Sequence, residues 1–196
     1  MIHTTLRSGL LGLQWIDRLL PPLGRPERDD RRSHGAPLTI EIGAATGVGA
    51  TALSAFDAAL RELGVGDANL IRLSSVIPPR ATLERTARIR KPIPWGDRLH
   101  CVYAAHHAEG PGRTAAAGIG WALREDGSGA GLFVEHEAAT AAEVERMIRA
   151  SLADMTAARP HRFGPVHLSV TQAESTGDPV CALVLAAYDT AGWGAR

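Results

Sequence analysis

The stretch Thr51–Pro79, TALSAFDAALRELGVGDANLIRLSSVIPP, decides how this chain is read. Thr51 is placed to cap a helix that runs to about Leu63, because its hydroxyl can accept from an N–H of the first turn. Leu53, Asp57 and Leu60 fall along one stripe of that helix. A glycine-containing turn follows, then a strand over Asn69–Leu73 that stops at Ser74-Ser75. Pro78 and Pro79 have no main-chain donor, so they end a strand or build a turn. In most proteins such a serine pair is a plain strand end. A serine so placed can also attack the peptide bond before it, turning amide into ester. Elimination then breaks the chain and leaves a ketone at a new N-terminus.

Working outward, the pattern alternates. Leu38–Gly43 reads as a short strand and Gly43–Gly49 as a glycine-rich turn. Leu99–Ala105 and Ala117–Leu123 read as strands joined across Gly110-Pro111-Gly112. Leu132–His136 is a further strand, Ala141–Ala158 a long amphipathic helix, and Val166–Gln172 with Val180–Tyr188 a final strand pair. Short turns between strands favour an α+β fold, mainly antiparallel sheet covered by helices, over a doubly wound parallel one. Residues 1–37 read as an extension: leucines at helical spacing over 1–20, for docking or weak membrane contact, then a Pro- and charge-rich linker. The domain proper is expected over 38–196.

Composition narrows the function. Acidic and basic residues balance at 21 each, which argues against nucleic-acid or membrane-surface binding. No segment reads as a signal peptide or a membrane span, so a cytoplasmic protein without stable membrane insertion is expected. Lys91 is the only lysine, leaving a single candidate for any lysine-dependent mechanism. Cys101 and Cys181 fit no metal-ligand spacing and sit in apolar runs. His106, His107 and His136 also lack metal-ligand spacing, so no metal is expected.

Gly43-Ala44-Ala45-Thr46-Gly47-Val48-Gly49 has the glycine spacing of a dinucleotide loop. The rest of that motif is missing. The next strand ends in serines, not in an acidic residue for a ribose hydroxyl. Neither Tyr103 nor Tyr188 has a lysine four residues on. The glycines read better as a tight turn that brings backbone close to other groups.

The order Leu53-Ser54-Ala55-Phe56-Asp57-Ala58-Ala59-Leu60, Asn69-Leu70-Ile71 and Ser74-Ser75-Val76-Ile77-Pro78-Pro79 closely resembles the pyruvoyl-dependent arginine decarboxylases. The resemblance spans about residues 38–190, is strongest in the first third and is weaker between Arg80 and Gly96. It implies a layered αββα sandwich that cleaves itself between Ser74 and Ser75. Ser75 then becomes a covalent pyruvoyl group, and no pyridoxal phosphate is needed. It implies an assembly of at least a trimer, a homotrimer or a dimer of trimers, with sites between neighbouring protomers.

The same resemblance implies roles for three further residues. Asn69, six before Ser75, would hydrogen-bond a carbonyl and stabilise the oxyanion of the acyl shift. Asp57 would accept the substrate guanidinium, a pairing that can be bidentate. Glu135, on the same strand face as Phe133, would give a proton to the former α-carbon once burial has raised its pKa. Glu137 shares that face, and position in the motif favours Glu135. The implied reaction turns arginine into agmatine and carbon dioxide through a Schiff base on the Ser75-derived ketone. The alternatives are another basic amino acid such as histidine, or an uncleaved binding or assembly subunit of the same fold. The Arg-rich segment Arg80–Trp95 departs from the family pattern and is expected to line the site or a protomer contact.

Overall fold

The structure is a computed structural model that describes residues 38–194. The extension over 1–37, read above as helix and linker, lies outside the described residues. Nine strands and two helices follow in order: β1 (Thr39–Val48), α1 (Ala52–Leu63), β2 (Asn69–Arg72), β3 (Val76–Ile77), β4 (Thr82–Arg85), β5 (Arg98–Ala108), β6 (Thr114–Leu123), β7 (Gly131–Ala138), α2 (Ala141–Ala157), β8 (His167–Glu174) and β9 (Val180–Ala191). They form two sheets, ordered β2-β5-β9-β1-β4 and β3-β7-β6-β8. Only β1–β4 and β2–β5 are parallel; the other pairs are antiparallel.

Three apolar layers give the expected αββα sandwich. Ala55, Ala59, Leu60 and Leu63 of α1 pack on Leu99, Cys101, Leu183 and Leu185 of the five-stranded sheet. Ile40, Ile42, Val102, Ile119, Trp121, Phe133, Val184 and Tyr188 fill the space between the sheets. Val144, Ile148 and Leu152 of α2 cover Ala116, Ala122, Leu132 and Val134 on the far face. The period-2 alternation of β7 thus sends Phe133 between the sheets and Leu132 and Val134 toward α2.

Thr51 caps α1, accepting from the Ser54 N–H, and Ser54 returns the bond as a capping box. The buried face of α1 is its alanine side, so Leu53 and Asp57 both face solvent. That separates Leu53 from the apolar stripe it was expected to share with Leu60.

The glycine-rich segment is not a turn. β1 runs straight through it, antiparallel to β9 from Glu41↔Ala187 to Val48↔Val180. Close approach of backbone is nonetheless why glycine is there. A Cβ on Gly47 would come within 3.0 Å of main-chain atoms of Ala55 and Ala59, and one on Gly49 would meet Ser54. The glycines form a groove in which α1 lies against the strand. Gly43 and Gly47 lie inside β1, paired with Leu185 and Cys181 of β9, and not in a loop that could cradle a phosphate.

Two strand pairings differ from the sequence reading. The turn at Gly110-Pro111-Gly112 does not close a hairpin: β5 and β6 belong to different sheets. Likewise β8 lies on the edge of the four-stranded sheet while β9 is central in the other. Hydrophobic pattern marks strands well but not which sheet they enter, since both sheets share one apolar interior.

Within the chain, arginines of the Arg-rich segment brace the fold. Arg88 donates to the carbonyls of Arg61 and Glu62 at the end of α1, where a cation suits the helix dipole. Arg90 pairs with Glu84 at 2.6 Å, and its N–H donates to the nearly buried Glu41. Arg85 lies over the Trp121 ring and donates to the Leu168 carbonyl.

Gly47→Ala is expected to lower unfolding free energy by about 1–3 kcal/mol through overpacking against α1. Urea unfolding monitored by circular dichroism measures it; a change below about 0.5 kcal/mol would show that α1 is not seated on this groove.

Candidate active site

β2 and β3 are edge strands of different sheets, and Leu73-Ser74-Ser75 carries the chain from one to the other. The Leu73 N–H donates to Cys101 O of β5, while Ser75 O accepts from Phe133 N of β7, at 2.9 and 2.8 Å. Ser74, exposed between them, makes no main-chain hydrogen bond among the described residues. The serine pair therefore spans the mouth between the sheets, fixed on either side and free in the middle.

Ser75 has φ of 62°, in the left-handed region. A non-glycine residue there carries about 1–2 kcal/mol of strain, because Cβ crowds the carbonyl oxygen. Its Oγ donates toward both oxygens of Glu135, at 2.7 and 2.8 Å. Glu135 is half-buried in β7, on the inter-sheet face expected for it, while Glu137 is exposed toward the strand end.

Burial raises the Glu135 carboxyl above its ordinary range; the Ser75 hydrogen bond, the Arg72 charge and His136 hold it down in that order. A carboxylate that accepts a serine proton and has a raised pKa is suited to act as a base at that hydroxyl. The Ser75 hydroxyl is the largest of these downward influences, so its loss would leave the carboxyl further inclined to hold its proton.

A cleft of about 420 Å³ opens beside Glu135, lined also by Arg72, Tyr103, Ala104, Ala105, His136 and Glu137. Arg72 sits over the Tyr103 ring, 4.8 Å from its centre, and donates to the Tyr103 carbonyl. On the other side of the serine pair, the Tyr188 hydroxyl donates to Val76 O at 3.1 Å. Burial and the Glu135 charge push the Tyr188 phenol upward, so it stays a donor.

Other reactive groups are inert or committed elsewhere. Burial raises the Cys101 and Cys181 thiols to about 12 and about 11, so neither is a thiolate at neutral pH. His136 Nε2 is 2.8 Å from Ser151 Oγ. Among the described residues no cluster of His, Cys, Asp and Glu is placed to hold a metal ion.

The family model for pyruvoyl-dependent arginine decarboxylase matches residues 39–191. The chain belongs to the pyruvoyl-dependent arginine decarboxylase family. A protein of that name from Thermococcus kodakarensis is 34% identical over 145 residues, covering 74% of this chain and 90% of the relative. One from Pyrococcus horikoshii is 35% identical over 149 residues, covering 74% and 92%. One from Pyrococcus abyssi is 43% identical over 107 residues, covering 54% and 66%.

Of the residues that the family resemblance singled out, one chain brings together Ser74, Ser75 and Glu135 only. Asn69 begins β2, and its amide donates to the Gly96 carbonyl. Asn69 thus stands at the opposite end of β2 from the Leu73-Ser74-Ser75 crossing. Asp57 is exposed on α1 and pairs with Arg61 at 2.8 Å, one helical turn away. Within the chain, the guanidinium that Asp57 meets is that of Arg61. Arg72 and Tyr188 were not found by sequence reading. Arg72 stood two residues before the serine pair, which was a usable signal; Tyr188, in an apolar run far downstream, gave none.

Self-cleavage is expected to rise with pH through the Glu135 pKa, because the ionised carboxylate takes the Ser75 proton. Gel-resolved fragment appearance across pH 4–9 (about the carboxyl-to-histidine range) measures it, and Glu135→Gln should lose this limb and cleave about 100-fold more slowly. A pH-independent rate, the same in both proteins, would remove Glu135 from the step.

Proposed function

We propose that this protein is a carbon–carbon lyase that decarboxylates arginine to agmatine and carbon dioxide, using a pyruvoyl group made from its own Ser75. The observation that carries the reading is the strained Ser75 whose hydroxyl is held by a half-buried Glu135. The residues present fit such a group. Its main chain on the downstream side is fixed by β7 and Tyr188, so a ketone formed at residue 75 would stay beside Glu135.

Glu135 takes the hydroxyl proton as Ser75 Oγ attacks the Ser74 carbonyl carbon. The Ser74–Ser75 C–N bond breaks, the departing nitrogen takes the proton, and an ester joins the two residues. Glu135, a carboxylate again, removes the Ser75 α-proton; the Cβ–O bond breaks and Ser74 leaves as a carboxylate. The resulting enamine shifts a proton to its methylene carbon, and one water hydrolyses the imine, releasing ammonia. Trigonal geometry at Cα removes the left-handed strain of Ser75, which favours the forward direction.

When formed, the pyruvoyl ketone supplies electron withdrawal from the bond to the substrate carboxylate. Glu135, its pKa raised further by loss of the Ser75 hydroxyl, holds a proton for the former α-carbon. Decarboxylation should therefore fall as pH rises through that pKa, the opposite sign to self-cleavage.

Asn69 and Asp57 act in this reading on the site of a neighbouring protomer. Both are exposed and neither touches Ser75 or Glu135 in its own chain. Around Asn69 the surface is apolar: Trp95 and Trp193 are 86% and 65% exposed, and Trp193 donates to the same Gly96 carbonyl as Asn69. Exposed aromatics of this size commonly mark a contact surface. Asp57 then exchanges Arg61 for the substrate guanidinium, and Asn69 steadies the carbonyl of Ser74. The assembly is a homotrimer or a dimer of trimers, in the cytoplasm, with neither metal nor pyridoxal phosphate.

Ser75→Ala should remain one chain by intact mass and evolve no carbon dioxide from arginine, whereas wild type should give Met1–Ser74 and a blocked second fragment. Asp57→Ala should lose arginine turnover by about 100-fold, mostly in KM. Mixed assemblies of the two inactive variants should regain part of the activity; none would show that Asp57 does not serve a neighbour's Ser75.

A further inference from the structure

The carbonyl oxygen of residue 75 has a fixed partner that no reaction step above has yet used. Phe133 N–H points at it from β7, at 2.8 Å. We infer that the Phe133 main-chain N–H is a catalytic hydrogen-bond donor for both self-processing and decarboxylation, seated by the Tyr188 hydroxyl as a positioning group. The inference rests on the proposed function.

The chemistry puts charge on that one oxygen twice. When the Ser75 α-proton is removed, the electron pair lies next to a single carbonyl, that of residue 75, and spreads onto its oxygen. The ketone, once formed, would supply a conjugated path to the same oxygen for charge released from the substrate, so the Phe133 N–H would face developing charge there a second time. A neutral amide oxygen gains little from one more N–H bond. An oxygen carrying developing negative charge gains far more, so the donor favours the transition state over the ground state. The first step, attack on the Ser74 carbonyl, places charge on a different oxygen that Phe133 does not touch.

The surroundings hold this donor in place. β3 pairs with β7 at only two positions, Val76↔Leu132 and Ile77↔Gly131. Two rungs on a sheet edge would fray alone. Tyr188 reaches across from β9, in the other sheet, and donates to Val76 O, the next carbonyl along. The Phe133 ring is fully buried, edge-on to Trp121 and Tyr188 at 6.2 and 6.1 Å. Its N–H is therefore aimed by packing on one side and by the Tyr188 anchor on the other, and needs no rearrangement as charge develops.

The test replaces the N–H and nothing else. Phenyllactate at position 133 keeps the ring and exchanges N–H for oxygen; the hydroxy analogue of valine at 134 is the control, because alternate N–H groups of a strand point to opposite sides. Hydroxylamine detects the ester at residues 74–75 before elimination. The 133 variant should form the ester at the control's rate, accumulate it, and complete the break about 10- to 100-fold more slowly. Its processed fraction should lose kcat by a similar factor with KM within about threefold. Processing and turnover equal to those of the 134 control would overturn the inference. Should the 133 variant not fold, Tyr188→Phe decides: it should accumulate ester about three- to tenfold with Tm lowered by only a few degrees, and no accumulation overturns the inference. A wild-type chain that never forms the ester or breaks overturns the proposed function, and this inference with it.

Discussion

The chain has to pass from one sheet to the other, and it does so at Ser74-Ser75. That crossing is the constraint on which the site depends. Each side of the serine pair is tied by a main-chain hydrogen bond to a different sheet, at Leu73 and at Ser75. The tension between these anchors is consistent with a left-handed Ser75, a conformation that a single sheet edge would not impose. The same anchors keep the serine hydroxyl on Glu135 instead of letting it turn to solvent.

In the proposed reaction Glu135 has two tasks that need opposite protonation states. In the intact chain the Ser75 hydroxyl, Arg72 and His136 oppose the upward pull of burial. The proposed conversion of Ser75 would remove the first of these, so that a group suited to act as a base before cleavage would suit an acid after it. One carboxyl is retuned by the loss of the hydroxyl it served, with no movement of the backbone required.

Much of this was legible in the sequence. Thr51 announced α1, the glycine at its end closed it, and alternation in β7 placed Glu135 with Phe133 between the sheets. The serine pair and Glu135 were paired by motif, and the fold joins them at 2.7 Å. What was not legible shares one cause: sheet membership. Because both sheets contribute apolar faces to a common interior, periodicity could not separate β5 from β6 or β8 from β9. The glycines of β1 were read as a turn because their purpose, room for α1, exists only once the helix is docked. Asn69 and Asp57 stand away from Ser75 within the chain, and no sequence pattern indicates which copy a side chain serves.

The order of strands has a consequence for the proposed cut between Ser74 and Ser75. β1 lies between β9 and β4, and α1 covers the sheet that β1 helps to build. β1, α1 and β2 belong to the piece before the break, while β4, β5 and β9 belong to the piece after it. The two pieces are interleaved through the middle of one sheet, so breaking the bond releases neither. The reverse route is another matter. Before the break, assembly of that sheet is an event within one molecule; after it, the same sheet needs an encounter between two, at whatever concentration they are present. Under the proposed self-cleavage, folding must therefore precede the break, and an unfolded, processed molecule would have lost the tether that built it.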